Sequence, residues 1–266
     1  MKARLRGIDV YYEVHGQGPK LLFIGGSGGD LRQKPNVFEG PLTQHFEVLS
    51  HDQRGLGRTD VPPGPYSMAD YGEDAIALLD ELGWERCAVM GVSFGGMVAQ
   101  ELACRAPERV ERMVLACTSS GGAGKPSYPL HELQSLPEEE RLLRSLELSD
   151  TRCNAAWREA NPEAAERMIE FARARASAGA GEPGRDDGFR LQLEARSHHD
   201  TWDRIAKLPM PVYIAGGEHD GIAPPENQHA MAAQIPNATL ELFDGGHMFL
   251  IQDRSAFPKI VAFLEA

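Results

Sequence analysis

The run Gly91-Val92-Ser93-Phe94-Gly95 follows an apolar segment and precedes a helix-forming one. Glycines on both sides of a serine let two backbones close around a sharp strand-to-helix turn, which lifts the Ser93 hydroxyl above the sheet edge. Free N–H groups at the helix start face the place where acyl transfer develops negative charge. The backbone N–H of Phe94 is the first donor for that oxyanion. A serine hydroxyl needs a base. Among the nine histidines, His247 in "FDGGHMFLIQD" lies between a strand and the last helix, with glycines leaving room for the ring. An orienting carboxylate is expected from "GGEHDGIAPP", which offers Glu218 and Asp220. Asp220 is favoured because it lies further past the strand end, with Gly221 giving slack and Pro224–Pro225 fixing the loop.

These residues need a frame. "ARLRGIDVYYEVHG" alternates like two short strands joined at Arg6–Gly7. "KLLFIGG" and "HFEVLSHD" read as buried strands, the second followed by the turn "QRGLGRTD". "SMADYGEDAIALLDELG" predicts a helix with Ser67 as N-cap, Asp70 completing a capping box and Gly83 ending it. Strand "CAVMGV", helix "FGGMVAQELACRAP" and strand "RMVLACT" continue the alternation. Strands alternating with helices predict an α/β fold with a mostly parallel sheet covered on both faces. After Thr118 the rhythm breaks at the Gly/Ser/Pro-rich "SSGGAGKPSYP". The following stretch is charged and helical, clearest in "PEEERLLRSLELS" and "NPEAAERMIEFARARASA", with "GAGEPGRDDG" as a loop. The pattern resumes with "MPVYIAGG", "PENQHAMAAQIP", "ATLELFDGG" and "FPKIVAFLEA". Residues 1–118 and 208–266 therefore form the core, and 119–207 an inserted helical unit.

Composition bounds the function. The 266 residues, 42% hydrophobic and 25% charged, can bury a sizeable core. A formal net charge of −12 without a basic run argues against general affinity for nucleic acid or an anionic membrane surface. Cys87, Cys104, Cys117 and Cys153 form no CxxC pair and read as small buried hydrophobes, which fits a reducing, cytoplasmic setting. No apolar run reaches the length of a signal peptide core or a membrane span. Adjacent His198 and His199 point different ways and make a poor metal site, so no metal is expected, and no cofactor is required. "GGSGGD" lacks the following helix that a nucleotide-binding loop needs.

Together "GVSFGG", "GGEHDGIAPP", "GGHMFL" and "HDQRGLGRTD" make the chain resemble α/β-hydrolase fold proteins over nearly its whole length. The order Ser93, Asp220, His247 is the order expected of that fold. Within it, the chain is similar to small bacterial hydrolases of the 3-oxoadipate enol-lactonase, esterase and cofactor-free haloperoxidase kinds. The resemblance implies a helical cap at 119–207 covering the pocket. It also implies a second oxyanion donor just after the first central strand. Gly25 stands where the family has histidine; by position Ser27 N–H is that donor, with Gly26 as the fallback. Gly26, Asn36 and Phe38 from the loop side, and Trp157, Met168 and Phe171 from the insertion, are the candidate pocket residues. The expected activity is ester or lactone hydrolysis of a small molecule through a Ser-His-Asp triad. Carbon–carbon hydrolysis of a β-dicarbonyl, perhydrolysis, and a ligand receptor retaining the triad are the competing readings. A homo-oligomer is left open.

Overall fold

The structure is a computed structural model describing residues 1–266. Its strands are β1 (Lys2–Leu5), β2 (Ile8–His15), β3 (Lys20–Ile24), β4 (Glu47–His51), β5 (Cys87–Val92), β6 (Val110–Ala116), β7 (Val212–Gly217) and β8 (Ala238–Phe243). They form one sheet in the order β1-β2-β4-β3-β5-β6-β7-β8. β1 and β2 pair antiparallel, as do β2 and β4, and every later pair is parallel. The β1–β2 hairpin turns at Arg6 (φ 47°) and Gly7 (φ 86°), the backbone a tight two-residue turn requires. β3 lies between β4 and β5, so the connections leaving it diverge. The crevice at such a switch point is where open α/β sheets bind ligands.

Ten helices follow: α1 (Met68–Glu81), α2 (Phe94–Arg105), α3 (Glu138–Ser149), α4 (Ala155–Ala160), α5 (Pro162–Ala176), α6 (Arg185–Ser197), α7 (Trp202–Ile205), α8 (Pro225–Gln234), α9 (Phe249–Gln252) and α10 (Ala256–Glu265). Ser67 and Asp70 make the reciprocal capping box at α1, and Gly83 takes φ 62° just beyond it. None of the helices is long and apolar enough to cross a membrane. The strands alternate strictly between two cores. Leu22, Val89, Leu115 and Ile214 share one core with α1, α2 and α8, while Leu21, Met90, Val114 and Tyr213 share the other with Ile260 and Leu264 of α10. That period-two split places helices on both faces of the sheet.

The segment between β6 and β7 carries α3 to α7. It leaves and rejoins the sheet through a narrow neck: Gly121 and Asp200 form an isolated antiparallel bridge, and Thr201 N–H donates to Ser120 C=O at 2.8 Å. One local expectation fails here. Only the first part of "GAGEPGRDDG" is loop, because α6 begins at Arg185 and contains Asp186, Asp187 and Gly188. The two aspartates sit in the first turn, where the helix dipole favours acid. Gly188 is there for contact rather than flexibility, since a Cβ would run into the carbonyl oxygen of Gly55. All four cysteines are unpaired, three of them buried.

Candidate active site

β5 ends at Val92 and α2 starts at Phe94, leaving Ser93 alone in the turn at φ 56°, ψ −117°. That strained backbone is held from three sides. Ser93 N–H donates to Ala116 C=O (2.8 Å), Thr118 Oγ1 donates to Ser93 C=O (2.7 Å), and Gly96 N–H donates to the same carbonyl (2.9 Å). A Cβ on Gly95 would meet the carbonyl oxygens of Ile24 and Gly25, and one on Gly91 the Gly95 carbonyl. Neither glycine can be exchanged without moving β3 or α2.

The structure brings Ser93, His247 and Asp220 together. Ser93 Oγ lies 2.9 Å from His247 Nε2, and His247 Nδ1 lies 2.7 Å from Asp220 Oδ2. A carboxylate only accepts, so Nδ1 carries the proton and Nε2 presents its lone pair to the serine hydroxyl. Asp220 Oδ1 accepts from Ile222 N–H (2.8 Å) and Ala223 N–H (2.9 Å), and its side chain is fully buried. The end of α3 fixes both loops. Its orphan carbonyls accept from them, Leu148 C=O from Gly221 N–H at 2.9 Å and Ser149 C=O from His247 N–H at 2.6 Å. Glu218, the other acid considered, instead continues the exit of β7 through its N–H to Phe243 C=O (3.0 Å).

Phe94, first residue of α2, has an N–H with no partner inside the protein, and so does Ser27. Gly26 lies close enough that a Cβ there would sit 3.5 Å from Ser93 Cβ. The glycine run does not float. Gln53 Nε2 donates to Gly25 C=O (2.9 Å), Gln33 Nε2 to Gly28 C=O (3.1 Å), and Gly28 N–H to Gln192 Oε1 of α6 (2.9 Å). Asp52, from the "HDQRG" turn, accepts Leu31 N–H (2.7 Å) and Arg58 N–H (2.9 Å), so its role is to hold the loop beyond the glycines. Arg54 makes a bidentate pair with buried Asp74.

Other candidate pocket residues have local occupations. Asn36 caps a short 3-10 turn, accepting Phe38 N–H and donating to Leu31 C=O. The Phe38 ring packs on His15, with centroids 4.3 Å apart. Trp157 and Met168 are half-buried in α4 and α5, while Phe171 is exposed with Arg175 over its ring. The aromatic side chain placed against the glycine loop is Phe189 of α6, 3.1 Å from where a Gly28 Cβ would be. Sequence reading missed Phe189 and Gln192 of α6, which meet the glycine loop at Gly28. The one usable signal was the four-residue spacing of Leu191 and Ala195, hidden behind a loop-like start. Cys117 Sγ, Asp220 and His247 offer ligand atoms within 4.8 Å of one another. Burial pushes the Cys117 thiol well up, and the Asp220–His247 hydrogen bond already engages the other two groups with each other.

Comparison with known proteins agrees with this architecture. A family model described as the alpha/beta hydrolase fold matches residues 19–253, and the chain belongs to that family. It is a hydrolase of that fold. Among its relatives is a poly(3-hydroxyalkanoate) depolymerase of Ectopseudomonas oleovorans, 29% identical over 249 residues that cover 92% of this chain and 84% of the relative. A 3-oxoadipate enol-lactonase 2 of Acinetobacter baylyi is 27% identical over 263 residues, covering 96% and 92%. The crystal structure of the enol-lactonase from Burkholderia xenovorans LB400 superposes with a TM-score of 0.81 over the whole of both chains at 24% identity, a likeness of fold.

Proposed function

We propose that this protein hydrolyses a small carboxylic ester or lactone through an acyl-enzyme on Ser93. The observation that carries the reading is the continuous line from Ser93 Oγ through His247 to buried Asp220, set on a strained elbow. Ser93 Oγ attacks the carbonyl carbon while His247 Nε2 takes its proton. Asp220 keeps the proton of Nδ1 in place and stabilises the imidazolium. The unpartnered N–H groups of Phe94 and Ser27 receive the oxyanion, each contributing about 3–4 kcal/mol in comparable sites. His247 then returns its proton to the departing alcohol oxygen. Water next attacks the acyl carbon, gives its proton to His247, and Ser93 leaves as the hydroxyl with the acid released. Relatives named as depolymerase and enol-lactonase act on ester and lactone bonds, which supports this class. Helices α3 to α6 would act as a cap over the pocket.

The test is turnover of short p-nitrophenyl esters and small lactones, without added metal, by the wild type and Ser93→Ala. A loss of about 10⁴-fold to 10⁶-fold in the variant is expected. Equal turnover in both proteins removes Ser93 as nucleophile.

A further inference from the structure

Seven acidic or basic side chains apart from histidine are buried: Asp30, Asp52, Asp74, Glu101, Asp150, Asp220 and Arg196. Each of the six carboxylates has a basic partner, namely Arg32, Arg58, Arg54, Arg204, Arg152 and His247 respectively. Arg196, only 5% exposed, faces no carboxylate at all. Its Nη1 donates to Tyr128 C=O (2.8 Å) and its Nη2 to Ser127 Oγ (2.6 Å), while Nε is buried without a partner. Burying a cation without a counter-charge is costly, and neutral acceptors offset only part of it. Burial alone pushes this guanidinium down to about 10.

The position of that cation is informative. Phe189, Gln192 and Arg196 lie three and four residues apart on α6 and share one face. Gln192 grips Gly28 of the glycine loop through Oε1, yet its fully buried Nε2 has nothing to donate to. Ser27 Oγ, in the same loop, is also buried without a partner. At the other end, Arg196 holds Tyr128 C=O, Tyr128 N–H donates to Ile222 C=O (2.7 Å), and Ile222 N–H donates to Asp220. The face therefore runs from the loop beside Ser93 to the loop that carries Asp220. One helical turn, about 6 Å, separates Gln192 from Arg196.

We propose that Arg196 and Gln192, with Ser27, form an anion subsite that binds a carboxylate carried by the substrate beside the scissile bond. Three hydrogen-bond donors without acceptors, one of them cationic, match the acceptor-only chemistry of a carboxylate. The inference narrows the ester or lactone reading to carboxylate-bearing substrates, and only its turnover arm rests on that reading.

The experiment compares monomethyl glutarate with methyl 5-methylhexanoate, in which an isopropyl group replaces the carboxylate. Ester cleavage is followed by pH-stat in wild type, Arg196→Met and Arg196→Lys, with circular dichroism to check folding. Calorimetry measures glutarate binding separately. Wild type should favour the half-ester by at least about tenfold in kcat/KM, and Arg196→Met should erase that ratio while Arg196→Lys keeps part of it. Glutarate should bind wild type and not Arg196→Met. A folded Arg196→Met with an unchanged ratio overturns the subsite and leaves Arg196 as a tie to the 127–128 loop. Wild type that favours the neutral ester also overturns it. Should neither ester be cut while glutarate binding depends on Arg196, the subsite stands and the ester reading falls. Should Arg196→Met fail to fold, the wild-type ratio and Arg196→Lys decide.

Discussion

Replacing Asp220 by asparagine changes the proton inventory of the site with little change of shape. Oδ1 accepts the N–H groups of Ile222 and Ala223, and an asparagine keeps both bonds only by presenting its carbonyl there. Its NH2 group then occupies the Oδ2 position, 2.7 Å from His247 Nδ1. Two donors cannot share that contact, so Nδ1 must become the acceptor and the ring proton moves to Nε2. Nε2 then points a proton, not a lone pair, at Ser93 Oγ. The opposite rotamer would press NH2 against two backbone donors with no acceptor, which is worse. A wrong tautomer of this kind lowers kcat by about 10⁴, equivalent to about 5.4 kcal/mol in the barrier. KM should change little, and stability should fall by less than about 2 kcal/mol because the loop bonds survive. Steady-state rates on a short p-nitrophenyl ester give the first quantity, urea denaturation the second, and ¹⁵N chemical shifts of His247 report the tautomer directly. A folded Asp220→Asn protein with kcat within about tenfold of wild type would refute this account of the base.

Three further outcomes are expected. Ser27→Ala keeps the backbone N–H and should cost less than about tenfold in kcat, whereas a loss near 10³ would mean that the hydroxyl itself holds the oxyanion. Gly95→Ala puts a methyl group against backbone carbonyls of Ile24 and Gly25 and should cost at least about 3 kcal/mol, read from urea midpoints. His51 and His199 are fully or almost fully buried, and burial lowers both from 6.5 to about 4. Between those values the unfolded chain binds protons that the folded chain refuses, so stability is unaffected above about 6.5 and falls as pH drops toward 4. Each histidine contributes up to about 3 kcal/mol to that slope, and His51→Gln or His199→Gln should flatten the pH dependence of the unfolding midpoint.

Much of this molecule is legible locally. The hairpin at Arg6–Gly7, the Ser67 capping box and the strand–elbow–helix around Ser93 rest on near-neighbour chemistry, and the structure has each where the residues imply. The meeting of Ser93, Asp220 and His247 follows from the loops at one end of a parallel sheet. What escaped is long-range. Gln192 meets Gly28 across 164 residues, and nothing in either segment announces the other. The start of α6 reads as loop because its glycine and aspartates are turn formers, yet Gly188 is required by the approach of Gly55 and the aspartates suit a helix N-terminus. Asn36 and Phe38 follow the glycine run in sequence, but a 3-10 turn directs Phe38 onto His15.

The neck between Ser120–Gly121 and Asp200–Thr201 has an evolutionary reading. Because entry and exit lie side by side, the sheet cannot sense how long the intervening chain is, and replacement segments of different length and composition can be spliced at that point. Free exchange stops where that segment holds the site: at the last turn of α3, whose Leu148 and Ser149 carbonyls tether the loops of Asp220 and His247, at Tyr128, whose N–H binds Ile222 C=O, and on α6, where Gln192 and Gly188 meet Gly28 and Gly55. A chimera that imports a foreign segment should therefore retain Tyr128, 148–149 and the α6 face from the host, and one that lacks 148–149 should keep its fold while losing its alignment of acid and base.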